Sequence, residues 1–580
     1  MVSLRVLRHL PQRLTLGFAA FALAACATDG NGAFASTPKS EAAGAVSAAD
    51  PRAAEAGAEM LRRGGSATDA AIATMLALGV IEPQSSGIGG GGFLVTGDRD
   101  GGVMTFDGRE TAPMAASPEW FLDASGHPRQ FMDAVRSGLS VGVPGNLRLA
   151  EKAHDRSGKL PWKTLFGPAI ALAENGYAIT ERMHDFLGDA KDRAARVPEG
   201  RALFFDAAGN PKPVGTIVKN PALAATLREI AEKGPDAFYT GANALAIATD
   251  VAADTPGARG MVTGDIEHYV AKERAPVCGT YRGYRICGMG PPSSGATTVL
   301  AILKQLERFD LARLGKDSPV AWHLFAESQR LAYADRELYL GDTDFVQVPV
   351  KGLVDDAYLK QRGTLISPDH TMATATAGKP PSDASLSYAD GDEPEEHGTT
   401  HFVAIDQWGD AASYTSTVEG SFGSGLMVGG YYLNNELTDF SFTPDVAGVP
   451  VANRVEPGKR PRSSMSPTLV YDKNGQLVLA IGAAGGATIP VQVAKALIGW
   501  IDWRLSAEDA IALPMLFSPG DAIMIEPGSP LKAMVPALQA LGHANIAERP
   551  MPLKANAIER TAGGWVGAAD PRSEGGWVKQ

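Results

Sequence analysis

The pentapeptide Gly398-Thr399-Thr400-His401-Phe402 stands where the character of the chain changes. A polar segment rich in proline and acidic residues, 379–396, ends there, and a strand-like run, 399–406, begins. A threonine that opens a buried strand after an exposed loop becomes a new N-terminus if the chain is cut before it. Its α-amino group then lies beside its own hydroxyl and can act as the base, which is the N-terminal threonine form of nucleophilic catalysis. A plain linker followed by a strand fits the same pentapeptide, so the rest of the chain has to decide.

Length and composition describe a large globular protein. The chain has 580 residues, of which 44% are hydrophobic and 20% charged, so several structural units and a sizeable core are expected. The net charge of −12 argues against nucleic acid and anionic membrane surfaces as partners.

The N-terminus predicts export. Three arginines precede an apolar run, 14–25, that is too short to span a bilayer, which is typical of a signal peptide. The run ends Leu23-Ala24-Ala25-Cys26, which resembles the lipobox of bacterial lipoproteins and makes Cys26 the lipidated first residue of the mature chain. We therefore expect a signal peptide over 1–26 and a periplasmic protein anchored to the outer membrane of a Gram-negative bacterium. Plain secretory cleavage is the alternative. Residues 27–49 are rich in small residues and predict a flexible tether.

Two further cysteines flank a predicted turn. If Arg282-Gly283 makes a two-residue turn, Cys278 and Cys287 lie opposite each other across a hairpin. An oxidising periplasm would allow them to form a disulfide. Two unpaired core cysteines fit the sequence equally well.

Two glycine motifs have the wrong context for their usual functions. The segment 87–92 matches the dinucleotide fingerprint, but it follows a predicted helix and opens a strand, which is the reverse of the required order. The segment 138–142 matches the nucleophile elbow of serine hydrolases, but Val143-Pro144-Gly145 separates it from the next helix. Both interpretations are rejected.

The order of predicted elements indicates a layered fold. Residues 150–375 read as mostly helical, and strands dominate from Thr399 onward. Two of these strands, 401–406 and 411–418, are joined by a four-residue loop and predict a hairpin. Further helices follow at about 490–513. This order favours a sandwich of sheets covered by helices.

Groups suited to acyl transfer are spread over the chain. Gly485-Gly486 follows a predicted strand and leaves room for backbone N–H groups to face an oxyanion, although a simple tight turn also fits. The segment 434–439 contains an acid pair suited to an ammonium group, and 459–466 contains hydroxyls suited to a carboxylate. Arg109 offers a guanidinium that could grip a carboxylate. Together these groups match the head of an α-amino acid.

Taken together, these segments resemble those of the γ-glutamyltransferases, also called γ-glutamyltranspeptidases or glutathione hydrolases. The resemblance covers residues from about 50 to 572. It is carried by 87–93, 107–113, 291–295, 333–342, 398–402, 433–441, 459–468, 482–486 and 569–572.

The resemblance implies an α+β fold of the N-terminal nucleophile hydrolase class, a four-layer αββα sandwich made as one inactive precursor. Self-cleavage between Gly398 and Thr399 would give a large subunit, 50–398, and a small subunit, 399–580, that form a heterodimer. Residues 376–398 would be the flexible segment before the cut.

The resemblance also implies roles for individual residues. Thr399 would attack a γ-glutamyl amide and form an acyl-enzyme, which water or an amino-acid or dipeptide amine would resolve, with glutathione among the donors. The other implied positions are Thr417 bonded to the Thr399 hydroxyl, Gly485 and Gly486 at the oxyanion, Arg109, Ser463 and Ser464 at the substrate carboxylate, and Glu419, Glu436 and Asp439 at its ammonium.

Two other functions remain as alternatives. One is a cephalosporin (glutaryl) acylase on the same fold, whose substrate lacks the ammonium that Glu419, Glu436 and Asp439 would bind. The other is a non-catalytic surface-binding relative, which would stay uncut. No spacing of cysteine and histidine typical of metal ligands occurs, so we expect neither a metal nor a cofactor.

Overall fold

The computed structural model describes residues 43–257, 260–382, 386–391 and 398–580. The predicted signal peptide and Cys26 lie outside these residues. Within them, no helix combines the length and the apolar character that crossing a membrane requires.

Two large sheets form the centre of the molecule. Their strands, in chain order, are β1 (Ala45–Ala48), β2 (Gly91–Gly97), β3 (Val103–Gly108), β4 (Lys272–Arg274), β5 (Val277–Tyr281), β6 (Tyr284–Gly288), β7 (Thr400–Ile405), β8 (Ala411–Thr417), β9 (Thr468–Tyr471), β10 (Leu477–Ala484), β11 (Lys554–Thr561), β12 (Gly564–Ala569) and β13 (Gly576–Lys579). The first sheet has the order β13-β1-β7-β8-β2-β3-β4, and the second has the order β12-β11-β10-β9-β6-β5. Every pairing within the two sheets is antiparallel.

The two sheets pack face to face. Ser413 of β8 links them, because its Oγ donates to the carbonyl of Ile481 in β10 and accepts the backbone N–H of Thr468 at the start of β9. Along β7 the side chains alternate: Phe402 contacts the core under the first helical layer, and Val403 contacts the core shared with the second sheet. Alternation with a period of two is what a strand covered on both faces requires.

Helices cover the outer face of each sheet, which confirms the predicted four-layer sandwich. The longer helices are Pro51–Arg62, Ala67–Ile81, Asn146–Ser157, Gly167–Asn175, Glu181–Asp189, Pro221–Lys233, Gly241–Asp254, Gly295–Leu306, Pro319–Tyr339, Asp356–Gly363, Ile489–Ile501 and Leu531–Ala540. The shorter α-helices are Phe131–Val135, Lys191–Ala194, Pro198–Phe204, Asp236–Tyr239, Thr263–Glu267, Leu311–Leu314, Val350–Leu353 and Ala507–Ala512.

Short elements complete the fold. The 3-10 turns are Gly138–Ser140, Trp162–Phe166, Glu436–Asp439 and Gly486–Thr488, and the small strands are Tyr177–Ala178, Ile217–Val218, Met427–Val428, Tyr431–Tyr432, Asp445–Val446, Val449–Pro450, Leu516–Phe517, Ala522–Ile525 and Asn545–Glu548.

One predicted boundary is wrong. The tether predicted over 27–49 ends too late, because residues 45–48 form the fully buried strand β1 between β7 and β13. The stretch Ala45-Val46-Ser47-Ala48 has the small residues of a linker, yet both of its neighbours in the sheet supply hydrogen bonds. The extended conformation of residues 45–48 is therefore fixed by β7 and β13, which lie more than 350 residues away in the chain.

Two described parts of the predicted pre-cleavage segment contact the body of the protein. The Gly378 N–H donates to Asp335 Oδ1 at 2.7 Å, and the Ala389 N–H donates to the Pro450 carbonyl at 3.0 Å. Residues 383–385 and 392–397 lie outside the described residues. The flexibility expected for this segment stays a prediction.

The cysteine hairpin forms with the expected register. Cys278 in β5 and Cys287 in β6 are direct partners, and a disulfide joins them. Of the two arrangements that the sequence left open, the structure contains the disulfide.

Candidate active site

Thr399 lies at an end of the first sheet, one residue before β7. Its Oγ1 donates to the Oγ1 of Thr417, the last residue of β8, at 3.1 Å. Thr417 Oγ1 also accepts the backbone N–H of Glu419 at 2.8 Å. The strand register explains the contact. Ser416 of β8 pairs with Thr400 of the antiparallel β7, so Thr417, which follows Ser416, lies opposite Thr399, which precedes Thr400. The hydroxyl of Thr399 is thus held by the sheet itself.

The peptide bond before Thr399 is crowded. Thr399 has φ of 110°, a conformation that a β-branched residue adopts at a cost on the order of 1–3 kcal/mol. Gly398 has no room for a side chain, because a Cβ there would come 1.5 Å from the Glu419 carbonyl oxygen. The Thr399 N–H donates to the Ser85 carbonyl at 3.2 Å, which fixes the other side of the bond. The backbone is therefore strained at Thr399, directly after the Gly398–Thr399 bond.

A small cleft opens in front of Thr399. Gly398, Thr399 and Gly485 all line it. Gly485 directly follows β10 with φ of 129°, and Gly486 comes next with φ of 57°, so both residues occupy backbone conformations that favour glycine. A Cβ on Gly485 would come 2.1 Å from the Pro552 carbonyl oxygen. The structure thus brings the first of the two predicted oxyanion glycines to the same cleft as the predicted nucleophile.

Arg109 is the centre of a buried ionic cluster. It is 1% exposed and forms ion pairs with Glu436 and Asp439. Its guanidinium also donates to the backbone carbonyls of Pro461, at 3.2 Å, and Arg462, at 2.7 Å. The sequence assigned Arg109 and the two acids to opposite ends of a substrate, whereas the structure pairs them with each other.

Burial shifts the titration of two carboxyls in this cluster. Glu110 is fully buried beside Arg109, and burial raises the pKa of its carboxyl to about 7. Burial also raises the pKa of Glu436 well above its ordinary value, although the Arg109 charge opposes the shift. Both shifts have the same physical cause, because a buried carboxyl loses the water that would stabilise its charged form. The two carboxyls therefore retain their protons to higher pH than exposed ones.

Glu419 connects this cluster with the nucleophile. Its N–H bonds to Thr417, as described above, and one of its carboxylate oxygens accepts from Asn435 Nδ2. Asn435 Oδ1 in turn accepts the Gly420 N–H at 2.9 Å. Asn435 directly precedes the 3-10 turn that presents Glu436 and Asp439. One short segment thus touches both parts of the site.

Ser463 and Ser464 are buried and already hydrogen-bonded. Ser463 Oγ accepts the Met465 N–H at 3.2 Å, and Ser464 Oγ accepts from Arg336 Nη2 at 2.7 Å. They follow Arg462, whose carbonyl contacts Arg109. The structure therefore places both serines next to the Arg109 cluster.

Sequence reasoning gave no role to three residues of this site, which are Glu110, Asn435 and Arg336. Each lies in a segment that the sequence already singled out, either beside Arg109, before the acid pair or in 333–342. For Glu110 and Asn435, the sequence signal was that each directly adjoins a residue already proposed for the site. Arg336 reaches Ser464 across 128 positions, and its local sequence carries no sign of that contact.

His401 does not supply a base for Thr399. It is fully buried in β7, its Nδ1 lies 2.8 Å from Thr415 Oγ1, and burial lowers its pKa to about 3. The ring is therefore neutral throughout the physiological range. Among the described residues, the histidine of this strand is therefore not a charged partner for Thr399.

The described residues contain one cluster with metal-ligand chemistry, made of His323, Glu327 and His543. The two rings hydrogen-bond to each other, with 2.7 Å between His323 Nδ1 and His543 Nε2. The Glu327 carboxylate accepts from Arg330, Thr371 and the Met372 N–H. These groups satisfy one another, so we assign them a structural role.

Comparison with known proteins gives a consistent result. A family model described as Gamma-glutamyltranspeptidase matches residues 53–579. The chain is 38% identical over 509 residues to a glutathione hydrolase proenzyme of Bacillus subtilis (strain 168), covering 86% of this chain and 85% of that protein. It is 35% identical over 541 residues to a glutathione hydrolase proenzyme of Escherichia coli (strain K12), covering 91% and 90%. Among solved structures, a cephalosporin acylase from Bacillus halodurans matches with a TM-score of 0.80 and 26% identity, covering 93% and 96%.

Proposed function

Since this chain belongs to the gamma-glutamyltranspeptidase family, we propose that it is a self-processing γ-glutamyl hydrolase and transferase with Thr399 as nucleophile and base. The main observation in support is the 3.1 Å contact between the Thr399 and Thr417 hydroxyls, together with the strained backbone torsion of Thr399 next to the Gly398–Thr399 bond. Its acyl donors are glutathione and other γ-glutamyl compounds, and its acceptors are water and the amines of amino acids or dipeptides.

Maturation begins at the Gly398–Thr399 bond. Thr399 Oγ1 attacks the Gly398 carbonyl carbon, the C–N bond breaks, and the α-nitrogen leaves as an amine after taking the hydroxyl proton. The resulting ester is hydrolysed by water, which frees the Gly398 carboxylate and the Thr399 hydroxyl. The positive φ of Thr399 favours this step, because cleavage releases the strain.

Turnover repeats the attack on a substrate. The free α-amine accepts the proton of the Thr399 hydroxyl, the oxygen attacks the γ-carbonyl carbon, and the oxyanion is stabilised by N–H groups of Gly485 and Gly486. The leaving amine takes the proton, and an ester with Thr399 remains. Water or an acceptor amine then attacks the ester and regenerates the hydroxyl.

The ionic cluster accounts for recognition of the γ-glutamyl head. The carboxyl groups of Glu110, Glu436 and Asp439 lie beside Arg109, so they offer acceptors for an incoming ammonium, and Glu419 lies close to Glu436. Arg109 with Ser463 and Ser464 would hold the α-carboxylate next to it. A glutaryl group lacks this ammonium and would leave those acceptors unused.

The two pieces would stay together after cleavage. Strands β7 and β8 belong to the small piece, yet β1 and β2 of the large piece are their direct partners in the first sheet. The second sheet likewise pairs β6 with β9 across the cut. A heterodimer held by shared sheets is the expected product.

We also propose export to the periplasm with a lipid anchor on Cys26. The N-terminal sequence supports it, and the Cys278–Cys287 disulfide supports an oxidising compartment.

Intact mass measurement tests the assignment. We expect wild type to appear as two pieces, the smaller beginning at Thr399, and Thr399→Ala to remain one inactive chain. Thr399→Ser serves as the matched control, because it keeps a hydroxyl and should still be cut, more slowly. Cleavage that persists in Thr399→Ala would show that another group performs the cut.

Paired anilides separate the two acyl specificities. We expect γ-glutamyl-4-nitroanilide to be hydrolysed at least about 100-fold faster than glutaryl-4-nitroanilide, because the two donors differ by the α-amino group that the carboxylates of the Arg109 cluster would bind. Faster release from the glutaryl donor would favour the acylase alternative.

A further inference from the structure

We propose that Arg182 makes this enzyme selective for substrates whose leaving amine carries a carboxylate, such as a peptide with a free C-terminus. The proposal rests on the proposed function and extends it from the acyl group to the group on the other side of the scissile bond.

Arg182 reaches the cleft in front of Thr399. It is the second residue of the helix Glu181–Asp189 and lines that cleft together with Thr399 and Gly485. Its backbone N–H donates to Glu574 Oε1 at 3.2 Å, and its guanidinium carbon lies 5.1 Å from the centre of the Phe186 ring. Backbone and ring contacts thus position the side chain.

The guanidinium has hydrogen-bonding capacity to spare. Its Nε is buried and has no hydrogen-bond partner, and among the described residues no carboxylate forms an ion pair with it. A buried donor without a partner is costly, and a charged one more so. Other buried arginines near the site, such as Arg109 and Arg460, are paired with carboxylates. An anion that enters the cleft would therefore meet a guanidinium with an unused donor.

The charges around Arg182 favour an anion. Lys554 also lines the cleft, but its Nζ lies 2.6 Å from Glu82 Oε2 in a buried ion pair, so these two groups balance each other. Burial lowers the pKa of Lys554, and the nearby Arg182 charge lowers it further. Of the two cations that line the cleft, Arg182 is therefore the one with no ion-pair partner among the described residues.

The position of the cleft identifies the part of the substrate that enters it. None of the Arg109 cluster, which receives the γ-glutamyl head, is among the described residues that line this cleft. The cleft does contain the nucleophile and the first oxyanion glycine, so it receives the atoms beyond the scissile amide. The anion that an amino-acid or peptide amine carries there is a carboxylate, and a guanidinium binds a carboxylate through two parallel hydrogen bonds.

Two pairs of donors isolate this carboxylate. The first pair is γ-glutamyl-4-nitroanilide and γ-glutamyl-3-carboxy-4-nitroanilide, and the second is glutathione and its C-terminal amide. For wild type we expect kcat/KM to favour the carboxylated member of each pair, by about tenfold for glutathione, from one charged hydrogen-bonded contact. In Arg182→Gln this ratio should fall to about one, and Arg182→Lys should restore part of it.

Arg228→Gln is the matched control, because it removes the same charge from an exposed ion pair with Glu174 away from the cleft. It should keep the wild-type ratio. A wild-type ratio of one or less for both pairs overturns the proposal without any variant, and so does an unchanged ratio in Arg182→Gln. Failure of wild type to release either anilide would instead reject the proposed function.

Discussion

The proposed nucleophile region, around Thr399, and the proposed head-group region, around Arg109, consist of different kinds of chemical group. Around Thr399 the structure uses neutral hydroxyls, backbone groups and glycines, with the Thr417 hydroxyl at 3.1 Å. Around Arg109 it uses buried charges, with Glu436 and Asp439 in direct ion pairs. Glu419 links the two regions through one hydrogen bond to each.

The difference shows how each region obtains its geometry. Sheet register holds Thr399 and Thr417 together before any substrate arrives, since β7 and β8 are paired along their length. The Arg109 region instead depends on ion pairs between buried side chains, and burial raises the pKa values of two of its carboxyls. Changes in the first region should therefore alter the rate, and changes in the second should alter stability, pH dependence and affinity.

The largest expected effect follows from removing the guanidinium of Arg109. Arg109→Met deletes the ion-pair partner of the buried Glu436 and Asp439, so we expect the free energy of unfolding to fall by about 3–5 kcal/mol, measured by urea denaturation at pH 7. Arg136→Met, which breaks an exposed pair with Asp192, should cost less than about 1 kcal/mol. Equal losses in both variants would mean that the buried cluster is not the charged element we describe.

The next effect concerns pH. The pKa of Glu110 is raised from 4.5 to about 7, so the folded protein retains a proton between these values that the unfolded chain has lost. Its stabilising contribution is complete below pH 4.5 and disappears as the pH rises to 7. Wild type should therefore lose about 3 kcal/mol more than Glu110→Gln over this interval, measured as unfolding free energies at several pH values.

Glu119→Gln provides the control for this measurement, because Glu119 is exposed. Its pH dependence should follow wild type. If Glu110→Gln also follows wild type, the raised pKa has been assigned to the wrong carboxyl.

In the nucleophile region the expected change is in rate. Thr417→Val keeps the shape of the side chain but removes the partner of the Thr399 hydroxyl, so kcat/KM for a γ-glutamyl anilide should fall about 30- to 100-fold. Unfolding free energy should change little by comparison. Thr96→Val on neighbouring β2 is the control, because the buried Thr96 hydroxyl has no hydrogen-bond partner. A stability loss without a rate loss in Thr417→Val would reverse the comparison.

The smallest effect tests the link between the regions. Glu419→Gln retains an oxygen for Asn435 and removes one negative charge, so we expect KM for the γ-glutamyl donor to rise about fivefold with little change in kcat. A fall in kcat at constant KM would place Glu419 functionally with Thr417 rather than with the head-group region.

Much of the fold was predictable because its signals are local. The hairpin of β7 and β8 follows from alternating apolar residues and a loop of polar residues and glycine, and the structure has strands at Thr400–Ile405 and Ala411–Thr417. The helix Ala67–Ile81 begins with a capping box of Ser66 and Asp69. Such features depend on neighbours within a few positions, which a sequence displays directly.

Other parts could not be predicted, because their causes are distant in the chain. The strand β1 has a linker-like composition and is ordered by β7 and β13. The partner of Arg109 lies 327 positions away, and the partner of Lys554 lies 472 positions away. Nothing in the local sequence states whether a buried charge will meet a substrate or another side chain.

The sequence thus indicated the family, a candidate nucleophile and a set of groups suited to hold an amino-acid head. Only the tertiary structure decided that Arg109 is paired with the two acids, that Glu110 is buried beside them, and that Arg182 lines the cleft in front of Thr399. The physical reason is that periodicity, capping and glycine placement act over a few residues, whereas charge balance depends on every group that folding brings into one volume.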